Sequence, residues 1–143
     1  MVHAMRITTW NVNGLRAAIA KGFADHLDAL HPDIVLLQEV RARPHQLPGD
    51  WSGPPGWHTA WHPAEKPGYS GVAVWSRKPV EVLETGLGGP DPEGRVLRVR
   101  TEWLQVVSVY VPSGSNKAER QTFKEAYLED LLDWARPLLE TDE

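Results

Sequence analysis

Two short apolar runs constrain this chain more than anything else in it. Met5 to Asn11 and Ile34 to Gln38 each read as a strand, and each runs out at an oxygen-bearing side chain, Asn11 in the first and Glu39 directly after the second. Thr8, Thr9 and Trp10 favour extended backbone, while the unbroken Ile34-Val35-Leu36-Leu37 suits a central strand covered on both faces. Between them Phe23, Leu27 and Leu30 recur at i, i+4 and i+7, one face of a helix that Pro32 stops. Gly14 to Gly22 reads as a turn or a short irregular helix. Adjacent strands ending this way set an amide beside a carboxylate on one sheet rim, where a hard cation and a phosphate can meet.

Beyond this β-α-β start, Arg41 to Gly56 is rich in Pro, Gly and polar residues and reads as a surface loop. Five further strands are expected over Trp57–Trp61, Gly71–Ser76, Val80–Thr85, Arg95–Thr101 and Leu104–Tyr110. They are separated by turns such as Gly88-Gly89-Pro90-Asp91-Pro92, and Arg98 and Arg100 share a face expected to be exposed. From Ala118 to about Trp134 the pattern is again helical. Phe123, Tyr127, Leu131 and Trp134 form an apolar stripe opposite Glu125, Glu129, Asp130 and Asp133, and Pro137 ends or kinks the helix. No repeat, low-complexity segment or linker interrupts this order.

At 143 residues, with 41% hydrophobic residues and seven Trp, the chain has enough apolar surface for a core. It has no cysteine, which removes disulfide, thiolate-zinc and Cys-nucleophile chemistry. No run nears the roughly 18 apolar residues of a membrane span, and Met1-Val2-His3-Ala4 resembles no signal peptide, so a cytoplasmic protein without a membrane partner is expected. The net charge of -4 is uneven: residues 1–124 hold 14 basic against 12 acidic groups, and residues 125–143 hold 1 against 7. The acidic surplus belongs to the last helix, a solvated face, which leaves the earlier part free to carry a basic one.

Glu39 with Asn11 is the strongest candidate for chemistry. Mg²⁺ takes oxygen ligands, keeps several waters, and is commonly held by one or two carboxylates and a substrate phosphate. The blander readings are an Asx-turn from Asn11 into Asn13-Gly14 and a Glu39 that simply leaves the core. Tyr110, between an apolar strand and Pro112-Ser113-Gly114, can set its hydroxyl at the same edge to meet phosphate charge, or can bury its ring and wet its tip. Arg16, Arg41, Arg95, Lys117 and Arg120 are candidate phosphate contacts, each also readable as a surface charge. Gly68-Tyr69-Ser70-Gly71 is a tight turn first and a source of site residues, Tyr69 among them, second. None of the six His stands at metal-ligand spacing with another, and no catalytic His is expected; the Trp residues sit mostly at core positions.

Five segments in order carry a family resemblance: Trp10-Asn11-Val12-Asn13-Gly14-Leu15-Arg16, Leu37-Gln38-Glu39, Gly68-Tyr69-Ser70-Gly71-Val72-Ala73, Gly94-Arg95-Val96 and Val109-Tyr110-Val111-Pro112. Together they resemble the exonuclease III family of abasic-site endonucleases, within the endonuclease/exonuclease/phosphatase superfamily. The resemblance implies an α/β, deoxyribonuclease-like fold, of which residues 1–143 form the N-terminal half: half of a two-sheet α/β sandwich, mixed and mostly antiparallel, with flanking helices. It implies Glu39 as the Mg²⁺ ligand (Mn²⁺ being an alternative ion), Asn11 beside it as orienting group and possible second ligand, and Tyr110 on phosphate. The implied partner is double-stranded DNA with abasic or 3′-blocked sites, and the implied full-length parent is a monomer. One detail departs: Val40-Arg41 stands where the family commonly has Thr-Lys, keeping the cation and losing a hydroxyl.

The family also supplies a Gly-Asp-x-Asn segment and a C-terminal Asp-His pair, and neither occurs here. The expectation is a truncated chain, with apolar sheet faces exposed, that needs its complement and has little or no activity alone. Two rivals remain open. One is a superfamily phosphatase or phosphodiesterase acting on inositol phosphates or lipids; the other is a non-catalytic DNA-binding half-domain.

Overall fold

The computed structural model describes residues 4–113 and 118–140. Its elements in chain order are β1 (Ile7–Asn11), α1 (Leu15–Ala20), α2 (Phe23–Leu30), β2 (Ile34–Gln38), a 3₁₀ turn (Pro44–Gln46), β3 (His58–His62), β4 (Val72–Ser76), β5 (Val80–Thr85), β6 (Val96–Thr101), β7 (Leu104–Val109) and α3 (Ala118–Leu139). They form two sheets, β1-β2-β4-β3 and β5-β6-β7. Only β1 and β2 pair in parallel, as the intervening helices require; the remaining pairs are antiparallel.

The alternation of side chains along each strand builds two cores. On one face of the first sheet, Val35, Leu37, Ala73 and Trp75 pack against Leu15, Phe23 and Leu27, with Trp10, Trp51, Trp57 and Trp61 closing around them. Trp75 sits at the centre, its ring within about 6 Å of Phe23, Trp51, Trp57 and Trp61. The opposite face, with Ile34, Val72 and Val74, meets Leu97, Val99 and Val106 of the second sheet. Polar side chains stitch the sheets inside this layer. Gln38 Nε2 donates to Ser108 Oγ (3.1 Å), Ser108 Oγ donates to the Leu37 carbonyl (2.9 Å), and Ser76 and Thr101 hydroxyls meet at 2.8 Å.

This arrangement corrects the expectation of apolar sheet faces left to water. The inner faces cover each other within the chain, and Val74, Leu97 and Val99 are fully buried. Two further readings change. Arg98 is half-buried, not exposed, because Glu84 accepts from its Nε and Nη2 and Gln105 accepts from its Nη1. The α3 stripe is only partly used: Tyr127, Leu131 and Trp134 are half-buried, whereas Phe123 is 40% exposed. The helix meets the outer face of β5–β7 through its later turns, where Leu131, Ala135 and Leu138 face Val107 and Val109 across a cavity and Trp134 donates to Glu84 Oε1 at 3.1 Å; Phe123 is not among the residues lining it. The helix also passes Pro137 and ends at Leu139. Among the described residues no helix is long and apolar enough to cross a membrane.

Truncating the inter-sheet layer should cost more than any surface change. Leu97→Ala should destabilise the fold by about 2–5 kcal/mol, read as a shift in the urea midpoint with the slope unchanged.

Candidate active site

The site begins where β1 and β2 run out together. Asn11 pairs with Gln38 in the parallel register, so Glu39 is the first residue beyond the ladder. Backbone bonds then lace the two exits: Val12 N–H to Gln38 O (3.0 Å), Gly14 N–H to Glu39 O (2.7 Å) and Leu15 N–H to Val40 O (2.9 Å). From the other side, Val40 and Arg41 N–H groups bond to the carbonyls of Gly71 and Ser70 at 3.0 and 2.8 Å. Lacing this tight forces unusual backbone. Asn13, Glu39, Arg41 and Ser70 all have φ between 47 and 56°, the left-handed region that costs non-glycine residues about 1–3 kcal/mol each. Such residues concentrate where a fold fixes a functional group at the expense of local comfort.

The groups brought to Glu39 are all donors. Asn11 Nδ2 donates to its Oε1 at 3.1 Å, Arg41 Nη2 to its Oε2 at 2.6 Å, and the Tyr110 hydroxyl also bonds to it. Burial works to raise the Glu39 pKa, yet the bonds from Tyr110 and Asn11 and the charge of Arg41 together hold it below the usual carboxylate range. Glu39 is therefore an anion at neutral pH, with its side chain 13% exposed. Burial, and then the bond to Glu39, push the Tyr110 phenol up to about 12, so it keeps its proton and acts as a donor. Asn11 makes the Asx-turn as well, its Oδ1 accepting from Asn13 N–H at 3.0 Å. That bond sets the amide with its nitrogen toward Glu39, so in this arrangement Asn11 orients the carboxylate.

A divalent ion fits this donor set in a restricted sense. The rim offers one ionised carboxylate, and among the described residues no group of three or more His, Asp or Glu could cage a metal. That composition suits Mg²⁺, which keeps most of its waters, better than Zn²⁺, which takes three or four protein ligands. Arg41 now neutralises Glu39 and is 45% exposed, so it can swing aside for a competing cation.

The remaining sequence candidates divide by position. Arg16 is exposed beside the rim, its Nη2 donating to the Arg41 carbonyl at 3.2 Å. Arg95 was expected on phosphate, and the structure places it differently: it is 2% exposed. Its guanidinium donates to Tyr110 O (3.1 Å), Tyr69 Oη (3.0 Å) and Glu93 Oε2 (3.3 Å), so it braces the tyrosines from inside. Tyr69 in turn donates to Glu93 at 2.7 Å. Arg120, at the start of α3, borders the same cluster and lies 5.2 Å from the Phe123 ring. Lys117 lies outside the described residues.

Sequence reasoning missed the support beneath this cluster. Asp91 Oδ2 accepts from Arg95 and Val96 N–H (both 2.9 Å) and lies 2.9 Å from His62 Nε2. The signal was an Asp opening a turn whose fourth residue is glycine, since Gly94 N–H returns to Asp91 O at 3.1 Å. Gly94 is required there: φ is 59°, and a Cβ would lie 2.7 Å from Ala64 N and His62 O.

The match to a family model decides the ancestry of this arrangement, because it runs over residues 8–142 and is that of the endonuclease/exonuclease/phosphatase family. The chain belongs to that family. It is 36% identical over 142 residues to an exodeoxyribonuclease of Bacillus subtilis, covering 97% of this chain and 54% of that protein. It is 35% identical to the DNA repair nuclease APEX1 of Danio rerio, covering 94% of this chain and 47% of that one. Among solved structures, a 3′ phosphatase (NExo) from Neisseria bound to a product DNA hairpin superposes with a TM-score of 0.79 at 30% identity, covering 95% of this chain and 53% of its own. An AP endonuclease from Archaeoglobus fulgidus gives 0.79 at 27% identity, covering 97% and 53%. The chain thus spans about half the length of these family members, and its two-sheet α/β fold is theirs.

The Asp91 support gives a pH prediction. Burial raises the Asp91 pKa, but the bond with His62 and the two backbone N–H groups more than offset this and hold it below the ordinary value. A depressed carboxylate stabilises the fold above its unfolded pKa of about 4, and that contribution fades as pH falls through the lower folded value. Asp91→Asn should lower stability at pH 7 by roughly 1–3 kcal/mol. The gap to the wild-type chain should close below about pH 4, as read by thermal melts across that range.

Proposed function

We propose that this chain provides the metal-binding and phosphate-positioning part of a divalent-metal-dependent DNA repair nuclease of the exodeoxyribonuclease III type. The reaction is hydrolysis of phosphodiester bonds at abasic or 3′-blocked sites in duplex DNA. One observation carries the reading: an ionised Glu39, held by Asn11, Arg41 and Tyr110 at the laced ends of two parallel strands. The names of the Bacillus subtilis and Danio rerio relatives, and the DNA hairpin on the Neisseria neighbour, support DNA as the substrate class.

In this scheme Glu39 holds Mg²⁺ and Asn11 fixes its rotamer. The ion, when bound, supplies Lewis-acid stabilisation of phosphoryl oxygen charge. Tyr110, whose proton is retained at neutral pH, turns its single O–H from Glu39 to a non-bridging phosphate oxygen once the ion occupies the carboxylate. Arg41, released from Glu39, and Arg16 place positive charge along the strand backbone, contacts that position DNA without reading its sequence. Arg95 positions Tyr110 and Tyr69 from below. Hydrolysis also needs a base for the attacking water. Among the described residues every group gathered at Glu39 is a donor, and the reading assigns that base to residues outside this chain. The same donor-only character favours DNA binding without turnover by the chain alone.

Two measurements test this. Mn²⁺ binding followed by electron paramagnetic resonance should be abolished in Glu39→Gln and weakened about 10- to 100-fold in Asn11→Ala, the usual effect of losing an orienting partner; binding unchanged in Glu39→Gln would remove the metal assignment. The chain alone should leave an abasic duplex uncut in Mg²⁺, whereas a chimera carrying the remaining half of the Bacillus subtilis relative should cut it. Tyr110→Phe in the chimera should slow cleavage about 10²- to 10³-fold. Brisk cutting by the isolated chain would show that the water-activating base lies within it.

A further inference from the structure

A second concave site lies next to the rim, and nothing in the scheme above uses it. It is a cavity of about 320 Å³ between the 3₁₀ turn after β2 and the loop joining β3 to β4. Arg43 and His45 line one wall, and Lys66, Gly68, Tyr69 and Ser70 line the other; no acidic residue contributes to it. Arg43 is fixed at its base, its backbone N–H donating to Gln46 Oε1 at 2.8 Å and its Nη2 to the Ala64 carbonyl at 3.3 Å. A guanidinium has five N–H donors, so one such bond leaves it able to grip an anion. Lys66 Nζ stands 5.2 Å from the Tyr69 ring centroid, which holds that ammonium over the same wall.

Ser70 is the independent sign that something polar belongs here. It is 1% exposed, and its Oγ is buried without a hydrogen-bond partner. Buried hydroxyls are ordinarily paired, and an orphan in a cavity wall marks a place for a ligand atom. The left-handed backbone of Ser70, φ 47°, is held by its carbonyl accepting from Arg41 N–H, so the cavity and the Glu39 rim hang on the same backbone bond.

We propose that this cavity is a phosphate subsite, gripped by Arg43 and Lys66 with the Ser70 hydroxyl as donor, that takes a non-scissile backbone phosphate of the bound DNA. It rests on the DNA reading given above, and it differs from the Glu39 site in binding phosphate with fixed cations and no metal. Its contribution therefore persists in EDTA.

The test is fluorescence anisotropy of a short labelled duplex on the purified chain in EDTA across a salt series. Arg43→Gln/Lys66→Gln should weaken binding about tenfold and flatten the logarithmic salt slope by about 1, the loss of one phosphate contact. Arg136→Gln, a charge removed from the far end of α3, should leave both unchanged. A duplex that binds the wild-type chain but is indifferent to the double variant overturns the subsite and leaves the nuclease reading standing. If the wild-type chain binds no duplex, the DNA reading fails; inorganic phosphate then decides the cavity by NMR. Shifts at the Ser70 amide and His45 ring that vanish in the double variant would keep it as a site for free phosphate, and their absence would overturn it.

Discussion

Everything at the rim depends on a carbonyl that should have continued a strand. β2 stops at Gln38 because Glu39 turns into left-handed backbone, and its carbonyl then accepts from Gly14 N–H instead of from a neighbouring strand. That single bond ties the exit of one parallel strand to the exit of the other. It also throws the Glu39 side chain back across Asn11, where an amide is already locked by its own turn. Four residues accept strained φ values for this, and bonds to the loop before β4 repay them from the opposite side. The site is rigid because its backbone, more than its side chains, is over-determined.

Charge around the rim is arranged in two connected tiers. The upper tier is Glu39 with its donors. The lower tier is Arg95, buried under Tyr110 and Tyr69 and neutralised by Glu93. Tyr110 belongs to both, since its hydroxyl reaches Glu39 while its carbonyl receives Arg95. A buried guanidinium is expensive to desolvate, and it is tolerated because planar, multidentate donation satisfies several acceptors at once. Its Nε is left without a partner, so the bracing is strong in the plane of Nη1 and Nη2 and absent behind it.

Local pattern carried much of this into the sequence. Each strand could be read from its apolar run and the turn residues around it, with ends displaced by a residue or two where Arg95 and Tyr110 lie just outside the ladders. The meeting of Asn11 and Glu39 was legible because strand ends joined through short helices have few ways to lie. What was not legible depends on distant partners. Arg98 looked like a surface charge until Glu84 and Gln105 came across the sheet to it, and Phe123 looked like core although α3 meets the second sheet through its later turns, from Leu131 to Leu139. Arg95 sits in a motif that marks importance without telling brace from contact. Asp91 was hidden by its turn, which predicts where the chain bends but not which amides a side chain will cap.

The stitch between the sheets has an effect that reaches beyond the core. Gln38 holds Ser108 of the facing sheet, and Ser108 holds the Leu37 carbonyl, one residue before Gln38 and two before Glu39. The position of the carboxylate is thus referenced to the gap between the two layers. Swelling that gap, even by a substitution chosen only to be bulkier and remote from the rim, would shift the acid against Asn11 and Arg41. Interior volume and the geometry of the rim would then be set by the same residues.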